Sequence, residues 1–152
     1  MESIWVVLWA AVSAHFDWRQ RRIPNALSLG GAALALVWLL VHGETLLGGS
    51  WRDAGLGLLL ALVLTVPGYV LGQLGAGDVK MLAAFALMAT LADLLETIVV
   101  AGLAALLAVV TWRWLVLSGR ALDAGKRRHL PMGVFFAAGM VASQAGQAVF
   151  GR

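Results

Sequence analysis

The chain has 152 residues, 61% of them hydrophobic and only 12% charged, where a soluble domain carries about 25% charged residues. That is one compact unit's worth of chain, and it cannot hide so much apolar surface from water, so lipid is expected to be its main solvent. The formal charge of +3 is no nucleic-acid signal, because no basic stripe alternates with aromatics, and the lack of cysteine excludes disulfides, a thiol nucleophile and Cys-ligated metal.

Six apolar segments follow one another along the chain. The first, Ile4 to Trp18, has Glu2 and no Lys or Arg before it, the reverse of a signal peptide, so a retained helix is expected. "DWRQRRIPN" leads into the second, Ala26 to Val41, with Pro24 and Asn25 predicted to open it and Asn25 to act as its cap. "HGETLLGGSWRD" precedes the third, Ala54 to Gln73, where Pro67 and Gly68 predict a kink. "GAGDVK" opens the fourth, Val79 to Ala92, the shortest of the six. At 1.5 Å per residue it covers only about 21 Å. Either its outer end tucks in or its inner end starts below the membrane surface. The acidic "DLLE" reads as a connection to the fifth, Thr97 to Leu117, and the basic "SGRALDAGKRRHLP" leads to the sixth, Pro131 to Phe150. A full span needs about 20 residues, which the third, fifth and sixth meet and the first, second and fourth do not. The glycine pairs 30/31, 55/57 and 68/72 read as close helix packing.

Charge orients the bundle. Arg19, Arg21, Arg22, Lys80, Arg120, Lys126, Arg127 and Arg128 fall in one set of connections, against Arg52 and Arg152 in the other. The positive-inside rule then puts both termini outside and Asp17 and Asp78 on the cytoplasmic side. The expected fold is all-α, a single membrane-embedded unit over 1–152 built as a six-helix bundle.

Asp17 and Asp78 alone among the acids share both a side and a juxtamembrane position. One reading has them pair with arginines or simply meet solvent at the interface. The other has them form a catalytic pair. Two close carboxylates cannot both ionise, so one keeps a proton while its partner takes one from water, a route to hydrolysing a peptide bond. A non-catalytic scaffold or a small proton- or cation-coupled transporter would also place acids inside a bundle. Gly75 and Gly77 are expected to free the backbone for close approach and for dihedrals that other residues resist. Lys80 either orients the site or meets anionic lipid. His15, His42 and His129 lie in different segments without metal spacing, so neither a metal nor any other cofactor is expected.

"DWRQRRIPNALSL" together with "LGAGDVKMLAAFAL" resembles the type IV prepilin peptidase family of aspartic membrane proteases, in the compact form of Flp/Tad pilus systems. "HLPMGVFFAAG", with Pro131 and Gly133, is similar to the family's later Pro-x-Gly element. The resemblance implies that Asp17 and Asp78 are the catalytic pair. It implies that Gly75, Gly77, Lys80, Pro24, Asn25, Pro131 and Gly133 bind substrate or shape the site. The implied substrate is a prepilin or pseudopilin, cut at the cytoplasmic membrane face of a bacterial plasma membrane between a basic leader and a hydrophobic helix. The implied partners are that substrate and membrane lipid, with no nucleic acid, and self-association is left open. Larger relatives carry a cysteine-bearing cytoplasmic domain that methylates the new N-terminus. With a short first loop and no cysteine, neither methylation nor zinc is expected here.

Overall fold

The computed structural model describes residues 2–20, 24–72, 74–117 and 132–150. They form six helices: α1 (Glu2–Gln20), α2 (Asn25–His42), α3 (Trp51–Val70), α4 (Ala76–Met88), α5 (Leu91–Leu117) and α6 (Met132–Phe150). No strand occurs among the described residues. All six apolar segments are helical, and α2, α3 and the Leu91–Leu115 part of α5 are long and apolar enough to cross a membrane. The second segment therefore gains a residue at each end over the sequence reading and is not short. The sixth forms a 19-residue helix, with Val134–Gly146 an apolar stretch inside it.

α4 is the central helix. Met81, Leu82, Ala84, Phe85, Ala86 and Met88 are all buried, so its apolar residues face neighbours on several sides. A helix that is hydrophobic all round belongs inside, and a shielded helix need not match the bilayer thickness. α2 and α3 pack most extensively on it, while α1 and α5 lean on α6. The end of α4 away from Asp78 is covered by the 43–50 connection. Leu47 N–H donates to the Met88 carbonyl at 2.9 Å, and the connection turns through Gly43 and Gly48, both with φ near +80°.

The junction that follows corrects the sequence reading. α4 stops at Met88 and α5 starts at Leu91, so "DLLE" lies inside α5 rather than between helices. Thr90 is the cap: its Oγ1 accepts from Asp93 N–H at 3.1 Å, while Thr90 N–H donates to Asp93 Oδ2 at 3.2 Å. This reciprocal pair satisfies two donors that a helix start otherwise leaves open. Ser143 of α6 donates to Asp93 Oδ1 at 3.2 Å, tying the two helices together. Asp93, read from the sequence as part of a connection, is 1% exposed.

One glycine of each predicted pair makes the close approach. Gly31 faces the Trp9 indole, Gly57 faces Leu94 and Ala86, and Gly68 faces Leu74, whereas Gly30, Gly55 and Gly72 face open space. The tightest approach to another helix's backbone among the described glycines is at Gly139, where an added Cβ would sit 2.6 Å from the Thr97 carbonyl oxygen. Backbone cannot yield there as a side chain would. Gly139→Val is expected to destabilise the protein by roughly 1–3 kcal/mol through overpacking, and Gly30→Ala to be neutral or slightly stabilising. Thermal unfolding of the two variants in detergent measures the difference.

Candidate active site

Asp17 ends the inward stripe of α1. Val6, Ala10, Ser13 and Asp17 recur at helical spacing and are all buried, so the face that packs inward delivers a carboxyl at its last turn. Asp78 stands at the third position of α4, three residues after the Gly75 cap. Each aspartate is 8% exposed. Asp17 lies near enough for its charge to act on Asp78. Two carboxyls from helices far apart in sequence thus share one end of the bundle.

Local folding explains why Asp78 is held there. The chain leaves α3 at Val70, turns through Gly72 (φ 70°), and returns when Leu74 N–H donates to the Gly68 carbonyl at 3.0 Å. Gly68 has no side chain, so Leu74 can lie against it. Gly75 N–H then donates to Asp78 Oδ2 at 3.1 Å, so the carboxyl itself holds the start of α4. Gly75 has φ −78° and ψ 149°, and neither it nor Gly77 is in the left-handed region. The expected use of unusual dihedrals at Gly75 and Gly77 is therefore corrected: their backbone is ordinary. What Gly75 supplies is room, because an added Cβ would stand 3.2 Å from Asp78 Oδ2.

Lys80 reaches across the same end. Its Nζ donates to Asn25 Oδ1 at 2.8 Å, joining the start of α4 to the start of α2. Asn25 is the first residue of α2, with Pro24 as the cap position and no side-chain cap bond, so the predicted capping role of Asn25 is also corrected. Proline suits this place because its φ of −56° is already that of a helix entry. Asp17, Pro24, Asn25, Gly75, Gly77, Asp78 and Lys80 all belong to one end of the bundle. Pro131 lies outside the described residues, and Gly133 is known only as part of the first turn of α6. His15 points outward, edge-on to Phe16.

Two residues near this end were not singled out from the sequence. Ser28, wholly buried one turn into α2, begins its inward row of Ser28, Gly31, Ala35 and Leu39. A lone hydroxyl at that spacing in an apolar run is the signal that would have found it. Trp9 donates its indole N–H to the Leu27 carbonyl at 3.0 Å and is where α1 meets α2. Nothing in its sequence neighbourhood marks it. No group of three or more His, Cys, Asp or Glu occurs among the described residues.

No curated protein and no solved structure matches the chain. The family profile described as the type IV leader peptidase family matches residues 4–110, which include α1 but for its first two residues, α2 to α4 whole, both aspartates and most of α5. With more than half its length matched, this membrane protein belongs to the type IV leader peptidase family and is a peptidase.

Proposed function

We propose that the chain removes the basic leader of type IV or Flp-type prepilins or pseudopilins, as an aspartic endopeptidase acting through Asp17 and Asp78. The observation that supports this reading is that two aspartates, from α1 and α4, are both buried at one end of the bundle in a leader peptidase, with the charge of Asp17 acting on Asp78. One proton shared by the pair provides both functions that amide hydrolysis needs. The ionised carboxyl takes a proton from water as the water oxygen bonds to the scissile carbonyl carbon. The protonated partner donates a hydrogen bond to the carbonyl oxygen, where negative charge develops. When the C–N bond breaks, the leaving nitrogen takes a proton from the pair, which ends with one proton, as it began.

The excess of Lys and Arg on the connections flanking Asp17 and Asp78 favours a cytoplasmic site, in a six-span bundle of the bacterial plasma membrane with both termini outside. A substrate whose apolar helix lies in the same bilayer presents its leader junction at that depth. Co-expression with a candidate prepilin tests the reading: wild type shortens it, and Asp17→Asn and Asp78→Asn leave it full length. A scaffold or transporter would leave the prepilin uncut in all three.

Lys80 and Asn25 serve this reaction by holding the start of α4 against the start of α2. Lys80→Ala and Asn25→Ala are each expected to slow cleavage roughly three- to tenfold, the value of one partly exposed hydrogen bond. The double variant should be no slower than either single one, because each change removes the same bond. Cleavage rates in a double-mutant cycle read this directly. Additive losses would mean that the two side chains act separately, as they would if Lys80 met only lipid.

A further inference from the structure

α1 and α2 are consecutive in the chain, yet α1 leans on α6 and α2 on α4, so the two part and leave a groove of about 540 Å³ between them. Its walls include Trp5, Val12, Leu34 and Val37, all exposed, and Met88 of α4 is among its lining residues. No acid, lysine or arginine lines it. Along α2 it runs from Leu27 to His42, which is about 22 Å of helix. Near Leu27, Trp9 bridges to the Leu27 carbonyl and lies over Gly31. That end adjoins the candidate site. Leu27 is two residues from Asn25, the partner of Lys80, and Val12 is five residues before Asp17 on α1.

We infer that this groove seats the apolar helix of the substrate, with the leader junction emerging at the Asp17 and Asp78 end. The inference rests on the leader-peptidase reading and gives that site a docking surface. Its direction decides the occupant. A chain cut at one membrane face just before an apolar helix must run that helix away from the aspartates, alongside the bundle. The groove reaches Val12 on α1 and Leu27 on α2 at the end of the bundle where Asp17 and Asn25 stand, lies along the two helices, and has the length of about fifteen helical residues. Helix-in-groove recognition needs an apolar channel with anchoring side chains at helical spacing, which Leu34 and Val37 on one wall and Leu8 and Val12 on the other present.

The test uses the full-length protein, whose lack of cysteine permits single labels. Val37→Cys in an Asp78→Asn background is paired with single cysteines walked along the substrate helix. Oxidation should cross-link substrate positions recurring every three to four residues, whereas Leu103→Cys on α5 should give no such pattern. Cross-links only between two copies of the chain, or none to substrate, overturn the proposal and leave the groove to a second copy or to lipid. The second readout compares two substrates in active enzyme, one with its apolar helix and one ending shortly after the scissile bond. Val37→Trp should lower the kcat/KM ratio of helix-bearing to helix-free substrate at least tenfold, mainly through KM, while Leu59→Trp and Leu103→Trp leave that ratio unchanged. An unchanged ratio in Val37→Trp also overturns it. Failure of wild type to cut either substrate would instead refute the peptidase reading.

Discussion

Asp17→Asn and Asp78→Asn each lower leader cleavage by at least about a thousandfold while leaving the protein folded. Asparagine keeps the size of the side chain and a carbonyl oxygen. At position 78 it can still accept the Gly75 N–H that forms the start of α4. What it cannot do is exchange a proton, and acid–base catalysis of this kind contributes about 10² to 10⁴ per group. Because the two carboxyls share one task, the double variant should be little worse than either single one. Asp78→Ala differs in kind, since it also removes the acceptor for Gly75, so it should lower thermal stability as well as activity. Immunoblots of prepilin length, together with melting curves of the purified variants, separate the two effects. Full processing by both asparagine variants would show that the aspartates do no chemistry.

Much of this site is legible in the sequence because membrane proteins obey few rules strictly. Apolar length marked six helices, and the clustering of Lys and Arg put Asp17 and Asp78 in connections of the same set before any contact was known. Harder to read were choices between partners. Asn25 at a helix start looks like a cap, but Lys80, 55 residues away, holds its side-chain oxygen instead. "DLLE" looks like a polar connection because two acids inside an apolar helix are expensive. The cost is met by Thr90 at the cap and by Ser143 on α6. The Thr-x-x-Asp spacing at the cap was visible, but the Ser143 contact was not. Gly75 and Gly77 invited an argument from unusual dihedrals, and Gly75 proved to matter for the space beside Asp78. The α1–α2 groove depends on which neighbours each helix leans against, and no short-range pattern encodes that.

Asp93→Ala should destabilise the protein by about 2–4 kcal/mol and leave the rate of the surviving folded enzyme unchanged. The carboxyl accepts from Thr90 N–H at 3.2 Å, Thr90 Oγ1 at 2.8 Å and Ser143 Oγ at 3.2 Å. Loss of a helix cap costs about 1 kcal/mol, and leaving a buried donor unsatisfied costs about 1–3 kcal/mol more. Here the abandoned donors include Ser143, itself fully buried against α5. For a chain of this size each kcal/mol moves the melting point by about 2–4 °C, so a fall of roughly 4–16 °C is expected. Asp93→Asn, which keeps one oxygen acceptor, should lose less. Asp93 follows the far end of α4, whereas Asp78 begins that helix, so α4's length, about 20 Å, separates the two regions. The two kinds of acid therefore give opposite results in the same pair of assays. Asp17→Asn and Asp78→Asn stay folded and stop cutting, and Asp93→Ala melts early and cuts normally while folded. Normal melting with lost cleavage in Asp93→Ala would move the chemistry to the α5–α6 end of the bundle.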